Sequence, residues 1–260
     1  MLSPLVFGIE AGLSAAAGLG LTAGGCAYAA MWPASRLFGA ALIAPRRPGE
    51  LALTFDDGPN PRWTPPLLAT LAQWEVRATF FSMGAYAEAQ KQLLRQMADA
   101  GHLIGSHAWS HPNLALTRAS QIREELQRSK ETLEQILGQP VRFFRPPFGG
   151  RRPAVFRIAR ELGLTPVLWN AMTADWKEPS ANAIADQLSQ RIDQLERRGW
   201  AANIVLHDGS HLEPAALREP SVNAAGKLLE RYAQTRRFVT LDAAEWNSNF
   251  YNQSSGLFCL

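Results

Sequence analysis

The chain has 260 residues, 47% of them hydrophobic and 19% charged. That is enough apolar chain for a large core, and it excludes a disordered or collagen-like protein. The two cysteines, Cys26 and Cys259, exclude a disulfide framework, and a net charge of +3 with no like-charge run longer than two residues excludes nucleic acid as a partner.

Residues 1–44 form an apolar opening segment, and residues 11–35 carry no charge. That stretch is long enough to cross a bilayer, although it is rich in alanine and glycine. It reads as a membrane anchor, as a secretion signal ending near Ala27-Tyr28-Ala29, or as an apolar helix covering the domain. Glu10 and the missing basic flank weigh against a signal. Ala23 weighs against a lipid on Cys26. Arg36, Arg46 and Arg47 follow the segment, so the positive-inside rule points the rest of the chain toward the cytoplasm. Residues 45–50 read as a linker, residues 51–245 as one domain and residues 246–260 as a tail.

Beyond residue 50 the pattern alternates. Strands are predicted at residues 51–55, 78–82, 102–106, 141–145, 165–170, 203–207 and 237–240. Amphipathic helices are predicted between them. Leu93, Leu94 and Met97 share one face, as do Ile122, Leu126, Leu133 and Leu137, and Ile184, Leu188, Ile192 and Leu195. Pro153 suits the first turn of a helix over residues 153–162, and a last helix is predicted over residues 221–234. Repeated strand–helix–strand units imply a parallel sheet. Reactive residue types fall at the C-terminal ends of many of these strands. A barrel gathers all such ends around one pocket, so the expected architecture is an α/β barrel of about seven parallel strands.

Thr54-Phe55-Asp56-Asp57-Gly58-Pro59 ends the first strand with adjacent carboxylates. A turn needs one Asp; two beside a buried strand raise the pKa of at least one. Strand alternation predicts that Asp56 and Asp57 point to opposite sides and do different jobs, one binding a metal and the other acting as a base. His107 and His111 lie four apart on a short turn before Pro112 and can clamp one divalent cation. With one of the two aspartates they make a catalytic zinc-type set. His207 ends an apolar strand, and a histidine near its ordinary pKa suits general acid work. His102 and His211 have no evident partner and read as structural or surface residues, with a second metal site at His207 and His211 a minor alternative. Arg145, before Pro146-Pro147-Phe148-Gly149, could hold a carboxylate from the pocket rim. Asp175 could orient an imidazole. Trp176 offers a flat apolar face to a sugar ring, or fills core.

In order and in kind, Thr54-Phe55-Asp56-Asp57-Gly58-Pro59, His107-x-x-x-His111, Arg145-Pro-Pro-Phe-Gly149, Asp175-Trp176 and Leu206-His207 resemble the motifs of the polysaccharide deacetylases, the NodB-homology enzymes of carbohydrate esterase family 4. The resemblance spans roughly residues 51–240. It implies a distorted (β/α) barrel and a metal-dependent hydrolase that removes N-acetyl groups from chitin- or peptidoglycan-like amino sugars, releasing acetate. It implies Asp57, His107 and His111 as ligands of one divalent metal, usually Zn2+, with Co2+ or others as substitutes. Asp56 resembles the base and His207 the acid. Arg145 resembles the tether of Asp56, and Asp175 the residue that tunes His207. Pro147, Phe148, Trp176 and Leu206 would contact substrate, Leu206 as a wall of the acetyl pocket. A cell-wall substrate implies a membrane-associated or extracytoplasmic protein, against the charge pattern above. Two residues depart from the family pattern: Ala108 replaces a hydroxyl residue and Met172 replaces an aspartate. They leave room for a small non-sugar amide or imide as substrate. A non-catalytic glycan-binding module is the remaining alternative, and the intact acid, base and ligand set argues against it.

Overall fold

In this computed structural model the structure describes residues 38–246. The apolar stretch 11–35, both cysteines and the tail beyond residue 246 lie outside the described residues. Among the described residues no helix is long and apolar enough to cross a membrane.

The elements alternate in chain order. They are β1 (Glu50–Asp56), α1 (Thr64–Gln73), β2 (Thr79–Ser82), α2 (Gly84–Ala89), α3 (Lys91–Asp99), β3 (Leu103–Ser106), α4 (Ala119–Leu137), β4 (Phe143–Phe144), α5 (Pro153–Glu161), β5 (Thr165–Pro166), β6 (Ala171–Met172), α6 (Ala181–Arg197), β7 (Ala202–His207), α7 (Glu219–Tyr232) and β8 (Arg237–Phe238). All strand pairs are parallel, in the order β5-β4-β3-β2-β1-β7-β6, with β8 beside the start of β1.

The edge strands β5 and β6 are consecutive in the chain. The sheet therefore curls until its two edges nearly meet, giving the expected distorted barrel. The predicted strand over residues 165–170 is split here. Its first half pairs with β4, and its continuation leaves that edge after Val167 and rejoins beside β7. Asn170 makes the turn: its side chain accepts from Asn203 N at 2.8 Å and donates to Ala201 O at 2.9 Å. Leu42 bridges to Val167, so residues before the expected linker already belong to the fold. At the other end Trp246 is buried and donates to Glu50 Oε2 at 3.0 Å.

Strand periodicity sorts the core into two layers. Leu51, Leu53 and Phe55 of β1, with Ala202, Ile204 and Leu206 of β7, pack against the helices. The helical stripes read from the sequence meet them there, with Leu93, Leu94, Met97, Ile122, Leu126, Ile184, Leu188 and Ile192 buried. The alternate positions face inward: Ala52 joins Phe81, Phe143, Val167 and Trp246 in a smaller inner core. Above that floor, toward the C-terminal ends of the strands, the inward residues turn polar: Thr54, Asp56, Asn203 and His207. Local signals hold the helices in place. Pro153 opens α5, Ser180 Oγ caps α6 by accepting from Ala183 N at 3.2 Å, and Gly138 ends α4 in the left-handed conformation at φ 66°.

Candidate active site

The C-terminal ends of the strands surround a cavity of about 590 Å³ that takes in Asp56, Asp57, His107, His111 and His207. Asp56 is the last residue of β1 and Asp57 the first outside it. Asp57 adopts φ 71°, so the alternation that would send the two carboxylates apart is broken and both face one cavity. Close packing against the Asp57 backbone and the buried Asp208 carboxylate holds that turn. A Cβ on Gly209 would lie 2.0 Å from Asp57 O, and one on Gly58 would lie 2.3 Å from Asp208 Oδ2. Only glycine permits these approaches.

Asp57, His107 and His111 are buried, and their donor atoms lie within 4.8 Å of one another. His107 Nε2 is 3.3 Å and His111 Nε2 is 3.1 Å from Asp57 Oδ1. His107 Nδ1 lies 2.8 Å from the carbonyl of Arg145. A carbonyl only accepts, so Nδ1 carries the proton and Nε2 is the nitrogen turned toward Asp57. Asp57 Oδ1 has no hydrogen-bond donor. Acceptors aimed at acceptors in a buried site are repulsive until a cation sits among them. Two imidazole nitrogens and one carboxylate oxygen fit a catalytic divalent site with open positions. Burial works to raise the Asp57 pKa, yet His107, His111 and His211 around it hold it well below the usual carboxylate range. Burial pulls the His111 imidazole down, which favours the neutral, ligating form.

His107 and His111 sit on no helix. Ala108 and His111 both have positive φ, 63° and 64°, so the expected short turn is a compact non-helical loop. Glu125 of α4 pins that loop. Its carboxylate accepts from Trp109 N at 2.9 Å, Ser110 N at 2.8 Å and Ser110 Oγ at 2.6 Å.

Arg145 is not at the rim. It is fully buried under the cavity, with Nη1 donating to Asp56 Oδ1 and Thr54 Oγ1, each at 2.7 Å, and its guanidinium 4.2 Å from the Phe81 ring centre. The buried turn after β4 lowers it beneath Asp56, where an exposed guanidinium could not reach.

His207 ends β7. Asp175 Oδ2 accepts from the His207 backbone N–H at 2.9 Å, while Oδ1 lies 2.8 Å from His207 Nδ1. Ser221 Oγ donates to Asp175 Oδ2 at 2.6 Å. Burial by itself would lower the imidazole pKa, but Asp175 and the more distant Asp57 and Asp56 raise it to about 9. The ring is therefore a charged donor at neutral pH rather than a group near its ordinary value.

Trp176 is exposed and stands edge-on to His207 with ring centres 5.0 Å apart. Phe148 stands against His111 at 4.6 Å. Two expected contacts fall elsewhere. Leu206 faces the helix layer, because alternation from the inward His207 turns it outward, and Val205 lines the cavity in its place. Pro147 is buried beside the cavity, whose lining includes Pro146.

His211 does have partners. It stacks on His111 with ring centres 4.3 Å apart and 13° between planes, and its Nδ1 is 3.8 Å from Asp57 Oδ2. Its spacing from His207, not from the ligand pair, was the only signal in the sequence. Asp208 is also buried, bonded to Thr64 Oγ1 under the Asp57 turn, and burial pushes its pKa up to about 7. His102 is structural: its ring nitrogen accepts from Ala78 N at 3.2 Å, and burial pulls its pKa down to about 4.

A parallel barrel with two carboxylates, a paired histidine and a group of residues able to hold a cation at its C-terminal mouth fits a hydrolase-type site. Residues 44–167 match the polysaccharide deacetylase family. A peptidoglycan-N-acetylglucosamine deacetylase of Bacillus cereus is 34% identical over 202 residues, 77% of this chain and 70% of that protein. A chitooligosaccharide deacetylase of Sinorhizobium fredii is 33% identical over 183 residues, 68% of this chain and 82% of the other. Among solved structures, a family 4 carbohydrate esterase of Streptomyces lividans in complex with acetate aligns at TM-score 0.60 and 31% identity, covering 72% of this chain and 87% of that one. A family 4 pseudoenzyme of Bacillus anthracis aligns at TM-score 0.70 with 22% identity, over 79% and 69% of the two chains, a likeness of fold alone. The chain belongs to the polysaccharide deacetylase family, carbohydrate esterase family 4. It is an enzyme of that type, a hydrolase of amide bonds other than peptide bonds.

Proposed function

We propose that the enzyme removes the N-acetyl group from an acetylated amino-sugar chain, using one divalent cation, an aspartate base and a histidine acid. The observation that carries this reading is the convergence of Asp57, His107 and His111 donor atoms beside Asp56 and His207 in one cavity. The relatives named for peptidoglycan and chitooligosaccharide support the substrate class.

Asp57, His107 and His111 would hold the cation, Zn2+ by donor type. When bound, it supplies a Lewis acid for the acetyl carbonyl and lowers the pKa of water. The chain's own residues do the rest. Asp56, fixed by Arg145, takes a proton from the attacking water. His207 gives its Nε2 proton to the departing sugar nitrogen as the amide C–N bond breaks. Asp175 keeps Nδ1 occupied, so Nε2 is the nitrogen that faces substrate. The products are acetate and a free amine. Trp176 and Phe148 present flat faces to the sugar. A cell-wall substrate places the domain outside the cytoplasm, held at a membrane by residues 11–35.

The test is acetate release from N-acetylglucosamine oligomers by the full-length chain, after chelation and again after adding Zn2+ or Co2+. Release that stops on chelation and returns with metal supports the reading. Release untouched by chelation, or none with any metal in a folded protein, refutes it.

A further inference from the structure

Among the described residues, the exposed large apolar side chains are Leu116, Phe148, Met172, Trp176, Leu212 and Leu217. Each of them ends a strand or lies in the connection that follows one. Leu116 follows β3, Phe148 follows β4, Met172 ends β6, Trp176 follows it, and Leu212 and Leu217 lie between β7 and α7. Phe148, Met172, Trp176 and Leu212 line the catalytic cavity, and Leu217 sits between the lining residues Ala216 and Arg218. Exposed apolar residues scattered singly are ordinary; gathered around one opening they mark a binding surface.

The chemistry of the collar narrows what it binds. A sugar ring needs flat faces and hydrogen-bonding groups, and Trp176 and Phe148 already offer the faces. Leucine and methionine side chains offer neither. They are flexible aliphatic surfaces that fit an aliphatic chain. Leu212 is 82% exposed, so its partner lies at the mouth and not beside the buried Asp56.

We propose that the preferred substrate is an N-acetylated amino sugar carrying an aliphatic group, held at the mouth by Met172, Leu212 and Leu217. The sugar half rests on the deacetylase reading; the aliphatic half rests on the collar.

The test has a binding arm and a turnover arm. Isothermal titration of the full-length chain, stripped of metal, measures Kd for the methyl, butyl and octyl glycosides of N-acetylglucosamine below their micelle concentrations. A fully buried methylene is worth about fourfold in Kd. The expected fall from methyl to octyl is at least tenfold. In a Leu212→Ser, Leu217→Ser variant that octyl-to-methyl ratio drops below threefold; both residues are exposed, so the fold is not at risk. A flat series overturns the proposal, as does a ratio unchanged in the variant. A flat series joined to a change of oligomeric state in the variant, read by light scattering, assigns the collar to contact between copies. Acetate release with Zn2+ separates the two halves. Chain-length-dependent binding without release refutes the deacetylase reading and leaves the collar standing. Release at equal kcat/KM from all three glycosides, with equal Kd, does the reverse.

Discussion

Arg145 Nη1 lies 2.7 Å from Asp56 Oδ1, with the guanidinium fully buried and the carboxylate open only to the cavity. The same residue's carbonyl receives His107 Nδ1 at 2.8 Å. One residue thus orients the proposed base with its side chain and one proposed metal ligand with its backbone. Arg145→Met keeps the backbone contact but leaves Asp56 buried without its partner. Losing one member of a buried pair costs about 3–5 kcal/mol. A urea titration should show a loss of that size, with activity absent. Arg145→Lys should unfold less readily yet still lose most of its activity, because an ammonium cannot span Asp56 and Thr54 in fixed geometry.

Asp175 sets the charge of His207. The folded value of about 9 lies above the ordinary 6.5, so the pair's contribution to stability is fully present below about 6.5 and is lost as pH rises through about 9. Asp175→Asn should abolish that alkaline loss. NMR titration of the metal-free variant should find the His207 midpoint well below 9, since burial is then opposed only by the more distant Asp57 and Asp56. The alkaline limb of kcat should move down with it.

Glu125 is a positioning residue for the ligand loop. Glu125→Ala frees the backbone between His107 and His111, and partners of metal ligands are typically worth about 10–100-fold in metal affinity. Titration of Zn2+ against a competing chromophoric chelator should show a loss in that range. Glu125→Gln, which still accepts through its amide oxygen, should recover part of it. Equal affinity in all three proteins would remove the role.

Gly209→Ala places a methyl group 2.0 Å from Asp57 O, against backbone that cannot swing away. The expected result is destabilisation of at least about 1–3 kcal/mol by urea titration. Zn2+ affinity should fall with it as Asp57 is displaced. An alanine variant with unchanged Zn2+ affinity would show that the Asp57 turn tolerates movement.

The sequence was informative where one period governed a whole element. The stripe of Leu93, Leu94 and Met97 and that of Ile184, Leu188 and Ile192 are buried as the pattern predicts. It misled where the backbone left its period. Asp57 has positive φ, so alternation does not separate it from Asp56. The strand predicted over residues 165–170 contains a turn set by Asn170 contacts to residues more than thirty positions away. Leu206 was a legible miss: if His207 faces inward, period two turns Val205 inward and Leu206 outward. The roles of His211 and Glu125 were not legible, because each reaches the site through tertiary contact: Glu125 lies in no spacing motif, and the spacing of His211 pairs it with His207 and not with His111. Arg145 announced itself as a charge before a Pro-Pro turn, but nothing local shows that the turn buries it.

The central claim is that the cation ligands and the base are separate residues side by side. Asp56→Asn tests it most directly, with bound Zn2+ and acetate release measured on the same full-length sample. The account predicts one Zn2+ per chain, as in the parent protein, and acetate release reduced by at least a thousandfold. Loss of the metal would make Asp56 a ligand, and retained release would show that it is not the base; either result contradicts the account.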